Sequence, residues 1–365
     1  MIHSRSRITL SAPALRSNYR ILSSKVPGLS LLPMVKADAY GHDALFCARA
    51  LLKEKKLHGF GVATFREAVA LRKGLGNPQL PIVVFSDSAP WTGEHSALCR
   101  KFRLEPVFSE ITSLLTFQAE PRSREVRAHV EVNTGMNRLG IPMESFSLVR
   151  FYPESVFTHL AEADLPADPL TRLQLRNFGV LLEEARARFP KALFHFSNSS
   201  AIWNHARFPL TREMQLARPG LSLYGIRPFK RARNDGLRRV MTLTAQVLNR
   251  IHLSRGDRVG YGGTYECTRA RGEWISVIGG GYADGIFRSL GNRGIAYHGA
   301  KKLRFRGRVS MDLSAVEGHS GVKIGDSLEL WGDRVDPYEQ AELAGTIPYE
   351  ITTRIGSRLE RVYDQ

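Results

Sequence analysis

Cysteine is scarce in this chain. Cys47, Cys99 and Cys267 stand far apart, at no spacing that suits a metal site or a disulfide framework. Three scattered thiols fit a reducing compartment, so a cytoplasmic protein without a bound metal is expected. Long apolar runs are missing too: none approaches the ~20 residues that a membrane span needs. The basic start, residues 1–7, leads into no apolar segment, which predicts no secretory signal. Repeats and low-complexity tracts are absent. Acidic side chains are in the minority, 35 against 52 lysines and arginines, for a formal net charge of +17. That surplus raises the question of nucleic acid. Yet the basic residues are spread out, apart from 53–56 and 230–239, and neither cluster interleaves with aromatic residues. A basic surface that draws anionic small molecules fits better than a nucleic-acid partner.

What is present is ordinary for a globular protein. The 365 residues, 43% hydrophobic and 24% charged, suffice for two domains and a large core. Strand-like and helix-like stretches alternate over the first two thirds. Strands are predicted over 29–35, 60–63, 80–85, 104–107, 126–132, 155–158, 193–196 and 214–217, with helical patterns between most of them, such as 66–72 and 170–189. About eight strand–helix units in roughly 230 residues suit a (β/α)8 TIM barrel. A doubly wound sheet is the alternative, but no Gly-x-Gly-x-x-Gly follows the first strand.

Near residue 230 the texture changes. Residues 230–236, Lys-Arg-Ala-Arg-Asn-Asp-Gly, read as a polar connector. Beyond it, short strands are predicted over 241–253, 274–278, 302–316 and 327–331, with a turn at 255–257 and one helix near 337–344. The expectation is an α/β chain: a barrel over 1–232 and a mostly β domain over 233–365. The first strand of the chain is left able to pair with the second domain.

Lys36 ends a largely apolar strand. A desolvated ammonium is costly there, and burial lowers its pKa, which makes the amine a usable nucleophile. Lysines of this kind form Schiff bases with carbonyl compounds, pyridoxal phosphate (PLP) above all. In a TIM barrel, chemistry sits at the carboxyl ends of the strands. Other candidate strands also lead into polar residues: the segment 133–138 with Arg138, then His159, then Asn198 and Ser199, then Arg218 with Gly220 and Leu221. Together they predict one ring of side chains around one pocket. The second domain adds the glycine-rich runs 260–265 and 279–285, and the segment 307–312. By themselves the glycines read more readily as turns and bulges.

Five of these motifs, 35–41, 134–140, 218–225, 259–265 and 281–285, resemble those of the alanine racemases, in order and at similar spacing; Met311-Asp312 and Tyr349-Glu350 match as well. Barrels that bind PLP but lack the second domain share only the lysine strand, and the related decarboxylases lack the Gly-Tyr-Gly-Gly-Thr-Tyr segment. The resemblance implies PLP as cofactor, held on Lys36, with Lys36 and Tyr261 as bases on opposite faces of the substrate carbon. It implies that Tyr261 is assisted through His159 by Arg218, and that Arg218 faces the pyridine nitrogen of PLP. Phosphate binding would fall to Tyr40, Ser199, the amides of Gly220 and Leu221, and Tyr349, with Asn198 beside them. Arg138 would bind the substrate carboxylate with help from the Met311 amide. Tyr282 would line the entrance, and Asp312 would lie near the substrate.

One position departs from the family. Many alanine racemases carry a carbamylated lysine seven residues before the arginine that corresponds to Arg138. Here that position is Glu131, whose carboxylate is expected to pair with Arg138 directly. Because Tyr261 and Lys36 belong to different domains, the resemblance also implies a head-to-tail homodimer with shared sites. The implied reaction is interconversion of L- and D-alanine, supplying D-alanine for peptidoglycan. A broader amino-acid racemase acting on serine or lysine is the enzymatic alternative. A PLP-binding carrier or regulator is the non-enzymatic one, and residues 260–265 speak against it.

Overall fold

The computed structural model describes residues 5–229 and 236–365. Most of the expected connector, and the expected boundary between 232 and 233, lie outside the described residues.

Among the described residues, eight parallel strands form the first body: Ser30–Leu31, Phe60–Val62, Ile82–Val84, Glu105–Phe108, His129–Asn133, Ser155–Phe157, Leu193–His195 and Leu216–Ala217. From the second strand to the seventh, neighbours in this order pair with each other. The last pairs with the first, Leu216 with Ser30 and Ala217 with Leu31. Bridges from Met34 to Gly61 and from Ser197 to Ala217 complete the closure. All eight fall within or against the stretches expected from hydropathy. They are buried almost throughout and largely apolar because a barrel strand is covered on both faces. Alternation sorts the two sides. Ile82, Val84, Phe108 and Val156 join the large core between strands and helices. Val83, Val107 and Phe157 join Leu32 and Leu216 in a separate small cluster, the barrel's filled interior.

The helices begin where capping residues put them. Phe65–Leu75 starts with a reciprocal capping box between Thr64 and Glu67 and ends at Gly76, which is left-handed. Pro169–Arg188 starts on Asp168, with proline in its first turn.

The second sheet is built around the long strand Met241–Leu253. It pairs antiparallel with Ser327–Trp331 and with Glu273–Ile278. The chain's first strand, Ser6–Ser11, also belongs here, antiparallel to Met241–Leu253 and parallel to Glu360–Asp364. The helix expected near 337–344 is Pro337–Ala344. The expected strand over 302–316 is divided into Lys301–Arg304 and Ser314–Glu317. Gly307, at a φ of 76°, and the turn closed by Ser310 and Leu313 break it, and the loop between carries Met311 and Asp312. A short helix, Pro348–Thr353, was not foreseen. It packs on the turn after Lys36 so closely that a Cβ on Gly41 would lie 2.1 Å from the Thr352 carbonyl oxygen.

Candidate active site

The carboxyl ends of the barrel strands surround a cavity of about 340 Å3, lined among others by Lys36, Tyr40, Glu131, Arg138, His159, Asn198, Ser199, Arg218, Gly220, Leu221 and Tyr349. That volume lies at the lower end of the range for small-molecule sites, about 300–1,000 Å3. The structure therefore brings the expected barrel residues to one pocket.

Lys36 is held by an unusual backbone. Ala37, Asp38, Ala39 and Tyr40 all sit in the left-handed region, with φ from 50° to 55°. For residues with a Cβ this costs roughly 1–2 kcal/mol each, so the surroundings must enforce it. Glu67, already capping its own helix, also accepts from the Ala37 amide at 2.7 Å. Asp38 accepts from the Ala44 amide at 2.9 Å and pairs with Arg361 at 3.1 Å. His42 Nδ1 donates to the carbonyls of Ala39 and Tyr40, at 3.0 and 2.9 Å. Burial lowers the pKa of Lys36, aided by the Arg138 and Arg218 charges and opposed by Glu67 and Glu131. The amine is thus shifted toward its nucleophilic form.

Arg218 lies fully inside, with its guanidinium over the Phe157 ring, 4.6 Å from the centroid. It donates to His195 Nδ1, to the Thr158 carbonyl at 3.0 Å and to His159 Nδ1 at 3.4 Å. Burial lowers its pKa to about 10, so it remains a cation near neutrality. Burial, and then the Arg218 charge, push His159 down to about 3. His159 is therefore neutral. Because a guanidinium only donates, its Nδ1 is the bare nitrogen and its proton sits on Nε2.

At the other end of the cavity, Ser199 Oγ accepts from the Gly220 amide at 2.9 Å and from the Ser222 amide at 3.4 Å. A Cβ on Gly220 would lie 2.6 Å from the Tyr40 hydroxyl, so only glycine allows this approach. Tyr40 and Tyr349 are neighbours, with ring centroids 6.1 Å apart. Burial raises the pKa of both, which keeps them as neutral donors. Asn198 caps the following short helix through the Ala201 amide, at 3.0 Å. These hydroxyls and amides suit a phosphate, and the lysine and buried arginine suit the remainder of PLP. The residues present fit that cofactor.

Glu131 is 5% exposed and lines the same cavity. Its expected partner is corrected: among the described residues no ion pair joins it to Arg138. Glu131 projects inward from a barrel strand toward the buried guanidinium, and Arg218 is its strongest charge partner, ahead of Arg138 and Lys36. Burial outweighs all three and raises its pKa.

Tyr261, Tyr282, Met311 and Asp312 are elsewhere: none of them lines the Lys36 cavity of the same chain. Tyr261 is 75% exposed on a turn of the second body, beside a separate apolar hollow formed with Val259, Arg308 and Leu313. Met311 and Tyr282 are exposed as well, and the Ala283 amide donates to the Met311 carbonyl at 3.0 Å. Asp312 pairs with Arg358 at 2.8 Å and with Arg5 at 3.2 Å. The hydrogen bond and charge of Arg358, and then Arg5, hold the Asp312 carboxyl below its usual range against an opposing desolvation. Sequence reasoning missed Glu67, Phe157 and the histidine behind Arg218. His195 carried a signal, being the one titratable group in a short apolar strand.

A parallel barrel with a lysine at its mouth, joined to a β-rich second sheet, defines a class of enzyme, and the comparisons specify it. Residues 10–228 match the family model described as alanine racemase, N-terminal domain, and residues 240–363 the one described as alanine racemase, C-terminal domain. The chain belongs to the alanine racemase family. It is 33% identical over 383 residues to the alanine racemase of Brucella abortus (strain 2308), which covers 98% of this chain and 93% of that protein. The solved alanine racemase of Streptomyces coelicolor A3(2) is 30% identical, with a TM-score of 0.87 and 98% of each chain covered. That of Bartonella henselae, which carries covalently bound pyridoxal phosphate, is 27% identical with a TM-score of 0.85, covering 99% of this chain and all of that one. No helix among the described residues is long and apolar enough to cross a membrane.

Proposed function

We propose that the protein is a PLP-dependent alanine racemase, interconverting L- and D-alanine with two bases, and supplying D-alanine for peptidoglycan in the cytoplasm. The observation that carries this reading is the meeting of Lys36, Arg218 and the hydroxyl cradle in one cavity, while Tyr261 stands exposed on the other sheet. Bound there, PLP supplies an electron sink for the pair left when a Cα–H bond breaks.

The chain's own groups do the rest. Lys36 anchors the cofactor, and its Nζ, with a lowered pKa, holds or moves the proton on one face. Arg218 would face the pyridine nitrogen of bound PLP, and as a cation it would keep that nitrogen unprotonated. Tyr40, Ser199, Tyr349 and the amides of Gly220 and Leu221 hold the phosphate, with Asn198 ordering the short helix behind them. Arg138 and the Met311 amide take the substrate carboxylate. Glu131 balances the surrounding cations in the place of the family's carbamylated lysine.

The opposite face needs the Tyr261 hydroxyl, which we assign to the partner subunit of a head-to-tail homodimer. His159 supports the phenolate form: its Nε2–H can donate to the phenolic oxygen while Nδ1 accepts from Arg218. Tyr282 and Asp312 arrive with the same surface and shape the entrance, Asp312 being steadied by Arg5 and Arg358.

The test is an absorption spectrum of the purified protein, followed by α-hydrogen exchange. A PLP band near the visible edge, lost in Lys36→Ala, is expected, together with exchange from both enantiomers. Exchange from one enantiomer only, or full turnover in Tyr261→Phe, overturns the two-base reading. A panel of L-amino acids, serine and lysine included, reads the breadth of specificity.

A further inference from the structure

Behind Arg218 a line of buried polar groups crosses the barrel interior, one from each of five successive positions around the wall. Arg218 follows the eighth strand and donates to His195 Nδ1, at the end of the seventh. His195 Nε2 lies 3.0 Å from Ser155 Oγ, at the start of the sixth strand. Ser155 Oγ lies 2.7 Å from His129 Nδ1, at the start of the fifth. His129 Nε2 lies 3.0 Å from Glu105 Oε2, at the start of the fourth. His129, Ser155, His195 and Glu105 are all at most 5% exposed.

Chemistry permits this line only one direction. A guanidinium can only donate, so His195 Nδ1 is bare and the ring's proton is on Nε2. That N–H donates to Ser155. The serine has one proton, and its remaining neighbour is His129 Nδ1, which accepts it. The second histidine then carries its proton on Nε2 and donates to the Glu105 carboxylate. Every link points away from the cavity and ends on a group that can only accept. The alternative direction would put an N–H of His195 against the guanidinium.

We propose that Glu105 is a positioning residue for Arg218: through His129, Ser155 and His195 it fixes the ring nitrogen that holds the guanidinium in the cavity. The proposal rests on the PLP reading only for its effect on cofactor binding; the tautomers themselves are a property of the chain. Glu105 is well placed for a constant role. It is buried, yet the hydrogen bond from His129 and the charge of Arg127, 3.1 Å away, hold its carboxyl below the usual range despite that burial. His58 and Arg72 lie near the same end, and Glu154 also pairs with Arg127, at 2.7 Å.

The experiment uses the full-length protein with histidine side chains labelled with 15N. In the unaltered protein the nitrogen shifts of both His195 and His129 are expected to report a proton on Nε2. Glu105→Leu removes the final acceptor. His129 then loses its reason to keep the proton on Nε2, Ser155 is no longer held as a fixed acceptor for His195 Nε2, and the His195 nitrogen shifts move away from those of the unaltered protein. PLP affinity falls on the order of tenfold, since a buried polar contact to a charged group is lost. Glu105→Gln, whose amide oxygen still accepts, keeps the original tautomers and recovers most of the affinity.

A thermal melt confirms that each variant is folded. Should Glu105→Leu not fold, Ser155→Ala cuts the line midway, and the same loss of PLP affinity with an altered His195 signal is expected. A proton on His195 Nδ1 in the unaltered protein overturns the proposal. So does a folded Glu105→Leu or Ser155→Ala with unchanged His195 shifts and PLP affinity. If the chain bound no PLP, the functional reading would fall while the nitrogen shifts still decided the direction of the line.

Discussion

Gly41 joins two halves of the site, and replacing it with alanine tests how much that junction contributes. It ends the left-handed turn that begins at Lys36 and presses on the helix Pro348–Thr353, which carries Tyr349. Two costs follow from Gly41→Ala. At a φ of 85° an alanine is strained by roughly 1–2 kcal/mol, offset in part by about 0.4–1 kcal/mol from a stiffer unfolded chain. The added Cβ would also lie 2.1 Å from the Thr352 carbonyl oxygen and 3.0 Å from its carbon, distances that backbone atoms cannot keep. The turn and the helix must separate, for a total destabilisation of roughly 3–5 kcal/mol. Gly28 is the control: its φ is 95°, but nothing lies within 4 Å of its would-be Cβ. Gly28→Ala should cost about 1 kcal/mol, the strain alone. Urea unfolding of both variants measures the difference, and PLP retention reads the damage to the site, since both Lys36 and Tyr349 flank the contact. Equal losses in stability, or full PLP retention in a destabilised Gly41→Ala, would refute the reasoning.

Acid should unfold the protein partly through His42, which burial holds neutral with a pKa lowered to about 4. The unfolded chain binds that proton near 6.5, so stability is complete above 6.5 and is lost as pH falls toward 4; between pH 7 and 5 the loss is about 2 kcal/mol. His42→Asn should unfold more easily at pH 7 but with a flatter pH dependence, measurable by urea titration; an unchanged slope would remove His42 from the account. Glu131→Gln should weaken PLP binding and turnover by about tenfold, because three cations then share the cavity without their carboxylate. Unaltered affinity and turnover would show that the charge has no such role. Mixing Lys36→Ala chains with Tyr261→Ala chains should restore one working site per mixed dimer; recovery of no activity from subunits that do exchange would count against sharing.

The eight barrel strands were legible because each lies in or beside a largely apolar stretch, and burial on both faces favours that pattern. Lys36, His159 and Arg218 stood out because charge at the end of such a run has few bland explanations. The left-handed turn at 37–40 was not legible: Ala-Asp-Ala-Tyr holds no glycine to announce it, and side-chain hydrogen bonds of Glu67, Asp38 and His42 enforce it. The helix Pro348–Thr353 was missed because six residues rich in β-branched and aromatic side chains carry little helical signal.

Sequence alone determined the architecture and the identity of the groups that face the cavity, since hydropathy and the residue after each strand are local properties. Only the tertiary structure decided what stands behind them. Glu105, His129, Ser155, His195 and Arg218 are separated along the chain by 24, 26, 40 and 23 residues. No pattern in a linear sequence relates them, and barrel closure is what places them side by side.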